Sequence, residues 1–361
     1  MIGYNSLKKL KLEKKLTIGY FGGSITEAGG SNGRLGWRGR TTDAIKALYP
    51  DSDIKEIQAA IGGTGSDLGA FRIKNDLLIH KPDLIFIEFA VNDSGTAEKR
   101  ISRSIDGIVR SIIKNNPLSD IIFIYTTTAS IIEAVNNRKG YSSREIMSRI
   151  CEHYNIPYID IGEALKEAIE NGETWDNLAP DKVHPSDKGH ALYFEKLKAS
   201  MPEYFNKNTD VSSNALHNEL KSPYSDNPYD NCCVYDAWNI ECSNGFFKVD
   251  KSLSGRYPHY IEGKAGATLS LTFKGDILGL YWLIAPDSGK IALSVDDEKE
   301  RIYSSWDSYA LNFTRAGYLI INEDLNKAEH TLKIRVLEEK DNQSTGSIVR
   351  IGAFLIRDLL Y

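Results

Sequence analysis

Cysteine is scarce, with four residues in 361: Cys151, Cys232, Cys233 and Cys242. The adjacent pair Cys232 and Cys233 is poorly placed for an ordinary bridge, and Cys233 and Cys242 come without the paired histidines of a zinc site. Free structural thiols are the expectation. No run of about 18 apolar residues is present, so no transmembrane helix is expected. The first fifteen residues hold five lysines but no apolar segment of a secretory signal. The reading is therefore a cytoplasmic protein with no membrane partner. Surplus positive charge is also missing: 44 basic residues face 49 acidic ones, for a net charge of −5. Residues 1–205 are balanced at 27 of each sign, so the acidic excess lies after them. This gives no case for a nucleic-acid surface.

What is present is ordinary globular composition, 41% hydrophobic and 26% charged, at a length that suits two domains. Up to residue 205, strand and helix patterns alternate. Apolar runs at Leu16–Phe21, Ile54–Ala60, Leu84–Val91, Ile121–Thr127 and Ile156–Ile161 read as buried parallel strands. Between them, Ile101, Ile105, Ile108, Val109, Ile112 and Ile113 form one helical stripe that stops at Asn116-Pro117. The pattern predicts a three-layer α/β domain with a five-stranded parallel sheet, whose ligands bind beyond the strand ends.

Residues 206–230, with Ser212, Ser213, Pro223 and Pro228, read as a linker lying along a surface. From 231 to 361 the pattern is all-β. Short runs at Thr268–Phe273, Ile277–Ile284, Ile291–Val295, Tyr318–Ile321, His330–Val336 and Ile348–Ile356 are separated by Lys274-Gly275-Asp276, Pro286-Asp287 and Asp296-Asp297. A jelly-roll-like β-sandwich is expected. Tyr281, Trp282 and Trp306 are its candidate exposed aromatics. The expected role of this domain is structural, closing the active-site cleft or building a homo-oligomer.

Four short segments can carry chemistry. The first strand runs into Gly22-Gly23-Ser24-Ile25-Thr26, the second into Gly62-Gly63-Thr64-Gly65, and the third into Ala90-Val91-Asn92-Asp93. Glycine lets the backbone approach a ligand, and an asparagine side chain can donate to an oxyanion or simply cap a turn. Just before the last helix stands Asp181-Lys182-Val183-His184-Pro185. Spacing of three lets the aspartate reach Nδ1 of the histidine and leaves Nε2 free as a base. The first segment is not the G-x-S-x-G elbow, because Thr26 replaces the last glycine, and no P-loop lysine follows any glycine loop. The remaining histidines, His190 among them, lack a carboxylate neighbour of this kind and read as structural.

Taken together and in this order, the four segments resemble the SGNH/GDSL hydrolase superfamily over roughly residues 15–202. The resemblance implies Ser24 as nucleophile, Asp181 and His184 as the rest of a triad, and Ser24, Gly63 and Asn92 as oxyanion-hole donors. Two positions depart from the usual pattern: Gly23 stands where an acid is common, and Ala90 where glycine is usual. Neither is a catalytic position. Gly-Gly-Ser-Ile-Thr followed by Gly36-Trp37-Arg38 looks like a carbohydrate-esterase branch with an appended β-domain. That branch implies removal of acetyl groups from carbohydrates, such as acetylated xylo-oligosaccharides, through an acyl-serine and without metal or organic cofactor. Trp37 and Trp175 are the candidate sugar-stacking residues. A short-chain lipase or thioesterase of the same superfamily is the alternative, and a non-catalytic carbohydrate-binding protein a third reading.

Overall fold

In a computed structural model the chain divides into two compact units, Met1–Asp230 and Asn231–Tyr361. The structure describes residues 4–137, 142–209, 211, 218–242, 244–253 and 257–358. Ser212 and Ser213 lie outside the described residues.

The first unit is built on strands β1 (Lys15–Gly22), β2 (Asp53–Gln58), β3 (Leu84–Glu88), β4 (Asp120–Tyr125) and β5 (Tyr158–Asp160). They form one parallel sheet in the order β2-β1-β3-β4-β5. After β1 the chain moves out to the edge and then returns on the other side, so β1 and β3 flank the switch point where such sheets hold ligands. The helices are α1 (Tyr4–Glu13), α2 (Ser24–Glu27), α3 (Trp37–Leu48), α4 (Ser66–Asp76), α5 (Glu98–Asn115), α6 (Ala129–Asn136), α7 (Ser142–Tyr154), α8 (Glu163–Glu170), α9 (Trp175–Leu178) and α10 (Asp187–Ser200). One packed group is α4, α5 and α7, and another is α3, α8 and α10. Alternation along the strands assigns the faces: Leu16, Ile18, Tyr20, Leu84, Phe86, Ile122 and Ile124 share one core with α1, α3, α8 and α10. The isoleucine stripe of α5 is buried throughout, and the helix ends at Asn115, before the residue that precedes Pro117.

The segment read as a linker belongs to the first unit, and its residues 218–230 are strapped along α5. Ser225 donates both its N–H and its hydroxyl to the buried Asp106 carboxylate, each at 2.8 Å. Arg103 grips Asp226 through two nitrogens, at 2.8 and 2.9 Å, and Arg110 and Lys114 meet Asp230. Tyr229 is fully buried against Phe71. A Cβ at Gly107 would stand 2.4–2.7 Å from the Tyr229 backbone, which explains a glycine in mid-helix.

The second unit holds nine strands among its described residues: β6 (Cys232–Asp236), β7 (Phe246–Val249), β8 (Tyr260–Gly263), β9 (Thr268–Ile284), β10 (Lys290–Val295), β11 (Arg301–Ser304), β12 (Arg315–Asn322), β13 (Ala328–Val336) and β14 (Val349–Asp358). All the strand-strand ladders are antiparallel. Lys274-Gly275-Asp276 is not a turn. It lies inside the 17-residue β9, which pairs with β13 through its first half and with β12 and β14 through its second. Gly275 is there because a Cβ would stand 2.3 Å from the Arg357 carbonyl oxygen. Asp276, buried, is satisfied by the Arg357 guanidinium, with Nε at 2.7 Å. The Asp296-Asp297 turn does follow β10, both residues taking positive φ. Tyr281 and Trp282, candidates for exposure, are buried, and Trp306 packs partly against the same core.

Candidate active site

Four chain segments converge beyond the ends of β1, β2 and β3. Ser24 opens α2 directly after β1, with Gly23 as the N-cap. Its hydroxyl lies 2.8 Å from His184 Nε2, and His184 Nδ1 lies 2.6 Å from Asp181 Oδ2. The second contact fixes the tautomer: Nδ1–H donates to the carboxylate, so Nε2 accepts the serine proton. Asp181 is itself held by its own turn, its Oδ1 accepting the amides of Val183 at 2.9 Å and His184 at 2.7 Å. Partial burial pushes the Asp181 carboxyl up, but the His184 ring and these two amides outweigh it, and the group stays below the usual carboxylate range. The aspartate remains an anion beside the imidazole.

The loop after α2 cradles the histidine. Ala28 ends the helix in the left-handed region, and Gly29 returns its N–H to the Ser24 carbonyl at 2.7 Å. A Cβ at Gly29 would stand 2.8 Å from His184 Cδ2, and one at Gly30 would stand 2.9 Å from His184 Cβ. These glycines leave space for the histidine ring.

Gly62 and Gly63 follow β2. Gly62 comes against the serine, since a Cβ there would lie 3.5 Å from Ser24 Cβ. Its N–H donates to Glu27 Oε2 at 2.7 Å, tying this loop to α2. Gly63 has φ +72 and open space around its Cβ position, so backbone conformation rather than crowding requires glycine. Asn92 follows β3, and its side-chain amide lies across Gly23: Oδ1 stands 1.8 Å from where a Cβ of residue 23 would be. The structure thus brings Ser24, His184, Asp181, Gly63 and Asn92 to one place.

The two tryptophans part company. Trp37 is fully buried at the start of α3, edge-on to Tyr20 at 5.5 Å and Phe86 at 5.9 Å, so it cannot stack on a sugar. It is a core residue, and its backbone N–H donates to His190 Nδ1 at 3.3 Å. His190, also fully buried, uses Nε2 on the Gly29 carbonyl, and burial pushes its imidazole down to about 4. This neutral histidine buttresses the loop beside His184. Trp175 is half-buried and lines an open depression of about 500 Å³ with Glu133, Asn136, Asn137 and Lys182. Lys182 belongs to the Asp181–His184 turn, and its carbonyl accepts the Ala129 amide at the start of α6.

Sequence reasoning missed Glu27, Glu88 and the glycine pair at 29 and 30. Glu88 carried a signal, as a charged residue closing an otherwise apolar strand. Among the described residues no group of three or more histidine, cysteine or carboxylate side chains is arranged to hold a metal ion.

Residues 20–192 match the GDSL-like Lipase/Acylhydrolase family. The chain is 26% identical over 198 residues to an acetylxylan esterase of Geobacillus stearothermophilus, covering 48% of this chain and 88% of that protein. A crystal structure of a two-domain esterase active on acetylated mannans superposes with a TM-score of 0.83 at 22% identity, over 98% of this chain and 95% of the other. The same esterase co-crystallized with mannopentaose gives 0.81 at 21% identity, over 100% and 96%. At that identity the shared feature is the fold, in both units.

Proposed function

From a chain whose first unit is a GDSL-like lipase/acylhydrolase domain, and so a serine carboxylic ester hydrolase, we propose a carbohydrate acetyl esterase acting on acetylated xylo-oligosaccharides. The single observation that carries the reading is the relay from Ser24 through His184 to Asp181, at 2.8 and 2.6 Å. As Ser24 Oγ attacks the acetyl carbonyl, its proton passes to His184 Nε2, and the anionic Asp181 stabilises the imidazolium. The N–H groups of Ser24 and Gly63 and the Asn92 amide meet the oxyanion. The carbonyl–oxygen bond to the sugar then breaks, and His184 returns the proton to the departing sugar hydroxyl. Water, deprotonated by the same histidine, releases acetate from the acyl-serine. Protein side chains and amides supply every step, so the reading calls on no cofactor.

Acetyl is favoured because glycines and small polar residues surround the relay: Gly29, Gly30, Ser31 and Gly62 offer no apolar wall for a long acyl chain. Each extra methylene finding no such wall forgoes about 0.8 kcal/mol of binding. Trp175, flanked by Asn136, Asn137 and Glu133, supplies a stacking face and hydrogen-bonding groups for a sugar ring. The acetylxylan esterase relative supports xylan-type substrates. The fold shared with an esterase active on acetylated mannans makes acetylated manno-oligosaccharides the second substrate to test. The experiment is acetate release from both oligosaccharide sets, alongside 4-nitrophenyl esters of two to eight carbons. Fast acetate release, little octanoate cleavage and an inert Ser24→Ala are the expected results. Rates rising from acetate to octanoate replace this reading with a lipase or thioesterase.

A further inference from the structure

One buried acid near the serine takes no part in the relay. Glu88 closes β3, next to β1 in the sheet, and is 1% exposed. Oε2 accepts the hydroxyl of Thr26 on α2 at 2.9 Å, and Oε1 accepts the hydroxyl of Thr126, just past β4, at 2.9 Å. The Gly23 amide donates to the Glu88 main-chain carbonyl at 3.3 Å. The packing is close: a Cβ at Gly22 would stand 2.5 Å from the Glu88 carbonyl oxygen and 2.8 Å from Thr26 Oγ1. Glu88 therefore takes donors from both sides of Ser24, Gly23 on its main-chain carbonyl and Thr26 on its carboxylate, and the same carboxylate ties them to Thr126 at the end of β4.

We propose that Glu88 is a positioning residue for the nucleophile, its ionised carboxylate fixing the turn that aims Ser24 Oγ at His184. This rests on the reading of Ser24 as nucleophile. An ionised carboxylate accepts on all its lone pairs, whereas a protonated one becomes a donor and must release a contact. Burial outweighs the hydrogen bonds it accepts and pushes Glu88 up to about 7, so its charge changes across neutral pH. The groups around it come from several elements. Asp93 beyond β3 and Tyr193 of α10 feel its charge, and Asp67 acts on the first and Asp160 on the second. The Arg72 guanidinium of α4 holds the Gly22 carbonyl, and Arg144 of α7 holds the Thr126 carbonyl. On the far side of Ser24 stand His184 and Asp181.

Glu88→Gln keeps the shape, removes the charge and sets an NH₂ donor against a donor. With 4-nitrophenyl acetate, kcat is expected to fall about tenfold or more with KM within about twofold, as for a misplaced reacting group. The rate at which diethyl 4-nitrophenyl phosphate labels Ser24 falls by the same factor. The acid limb of the kcat–pH profile loses the ionisation that belongs to Glu88. Thr126→Val removes one donor, so kcat drops while the acid limb moves to higher pH; this variant decides the matter where the glutamine variant does not fold. Parental kcat, labelling rate and acid limb in the folded variants overturn the proposal. Ser24→Ala, run in parallel, separates the two readings: an active Ser24→Ala rejects the nucleophile, while an inert one beside a parental Glu88→Gln rejects only the role of Glu88.

Discussion

Gly22 and Gly23 are required by different neighbours. A side chain at 22 would strike the Glu88 carbonyl and Thr26, and one at 23 would displace the Asn92 amide. The glycine that departs from the usual acid before the serine is thus accounted for by the residue that reaches over it. Truncating the relay should cost unequally. His184→Ala is expected to lower kcat about as much as Ser24→Ala, by several orders of magnitude, and Asp181→Ala by about 10⁴ or less. Asn92→Ala should cost on the order of 10²–10³ in kcat, the loss of one oxyanion donor. Steady-state kinetics on a short ester checks all three, and an Asn92 effect confined to KM removes it from the oxyanion hole. Asp93, next in sequence, has a different part: Oδ1 accepts the Ser66 amide at the start of α4, while Oδ2 is buried with no partner among the described residues. Burial pushes this carboxyl up from 3.8 to about 7. A raised acid binds its proton more tightly when folded, so its contribution to stability is full below its ordinary value and is lost as pH rises through 7. Asp93→Asn mimics the protonated form. Its melting temperature relative to the parent is expected to rise between pH 5 and 8, and thermal melts across that range show it; a constant difference refutes the shift.

At the scale of elements, periodicity and strand-end chemistry carried most of the fold. The five apolar runs became the five parallel strands, and the α5 stripe became a buried helix face, because burial on both sides of a parallel sheet leaves a strong pattern. The same local rules failed where a distant backbone decides the residue. Lys274-Gly275-Asp276 has turn composition, but its glycine answers to β14 and its aspartate to Arg357, which no local window contains. Trp37 was misread for a related reason, since only the packing of α3 on the sheet shows that it is enclosed. Gly107 lies in the same class. By helix propensity alone, Gly107→Ala should stabilise α5 by about 1 kcal/mol. The Tyr229 backbone occupies that space, so the variant is expected to be less stable than the parent, by about 1–3 kcal/mol for overpacking. Chemical denaturation gives the sign directly, and a stabilised variant would mean that the strap yields easily.

For the whole molecule, the boundary between units falls at Asp230, after the strap. A chain cut after residue 205 leaves Asp106, Arg103 and Arg110 without Ser225, Asp226 and Asp230, and uncovers the pocket of Tyr229. Buried charges without partners cost several kcal/mol each, a large share of a domain's stability. The 1–205 chain is therefore expected to be insoluble or molten and the 1–230 chain to fold; circular dichroism and gel filtration of the two settle it, and equal behaviour refutes the role of the strap. The sequence showed a polar, turn-rich segment here but not what it lies on, because its partners are single charged residues of α5. The relay has its own unevenness of scale. Asp181 and His184 are three residues apart and joined through one turn, whereas Ser24 stands 160 positions from His184. Half of the relay is made by local chain geometry, and the other half exists only while β1 and the turn before α10 stay docked. Turnover is thus a gauge of long-range order. Partial loosening at low denaturant, of the kind that opens one region before the whole, should extinguish activity while the far-ultraviolet spectrum is unchanged and the imidazole keeps its carboxylate.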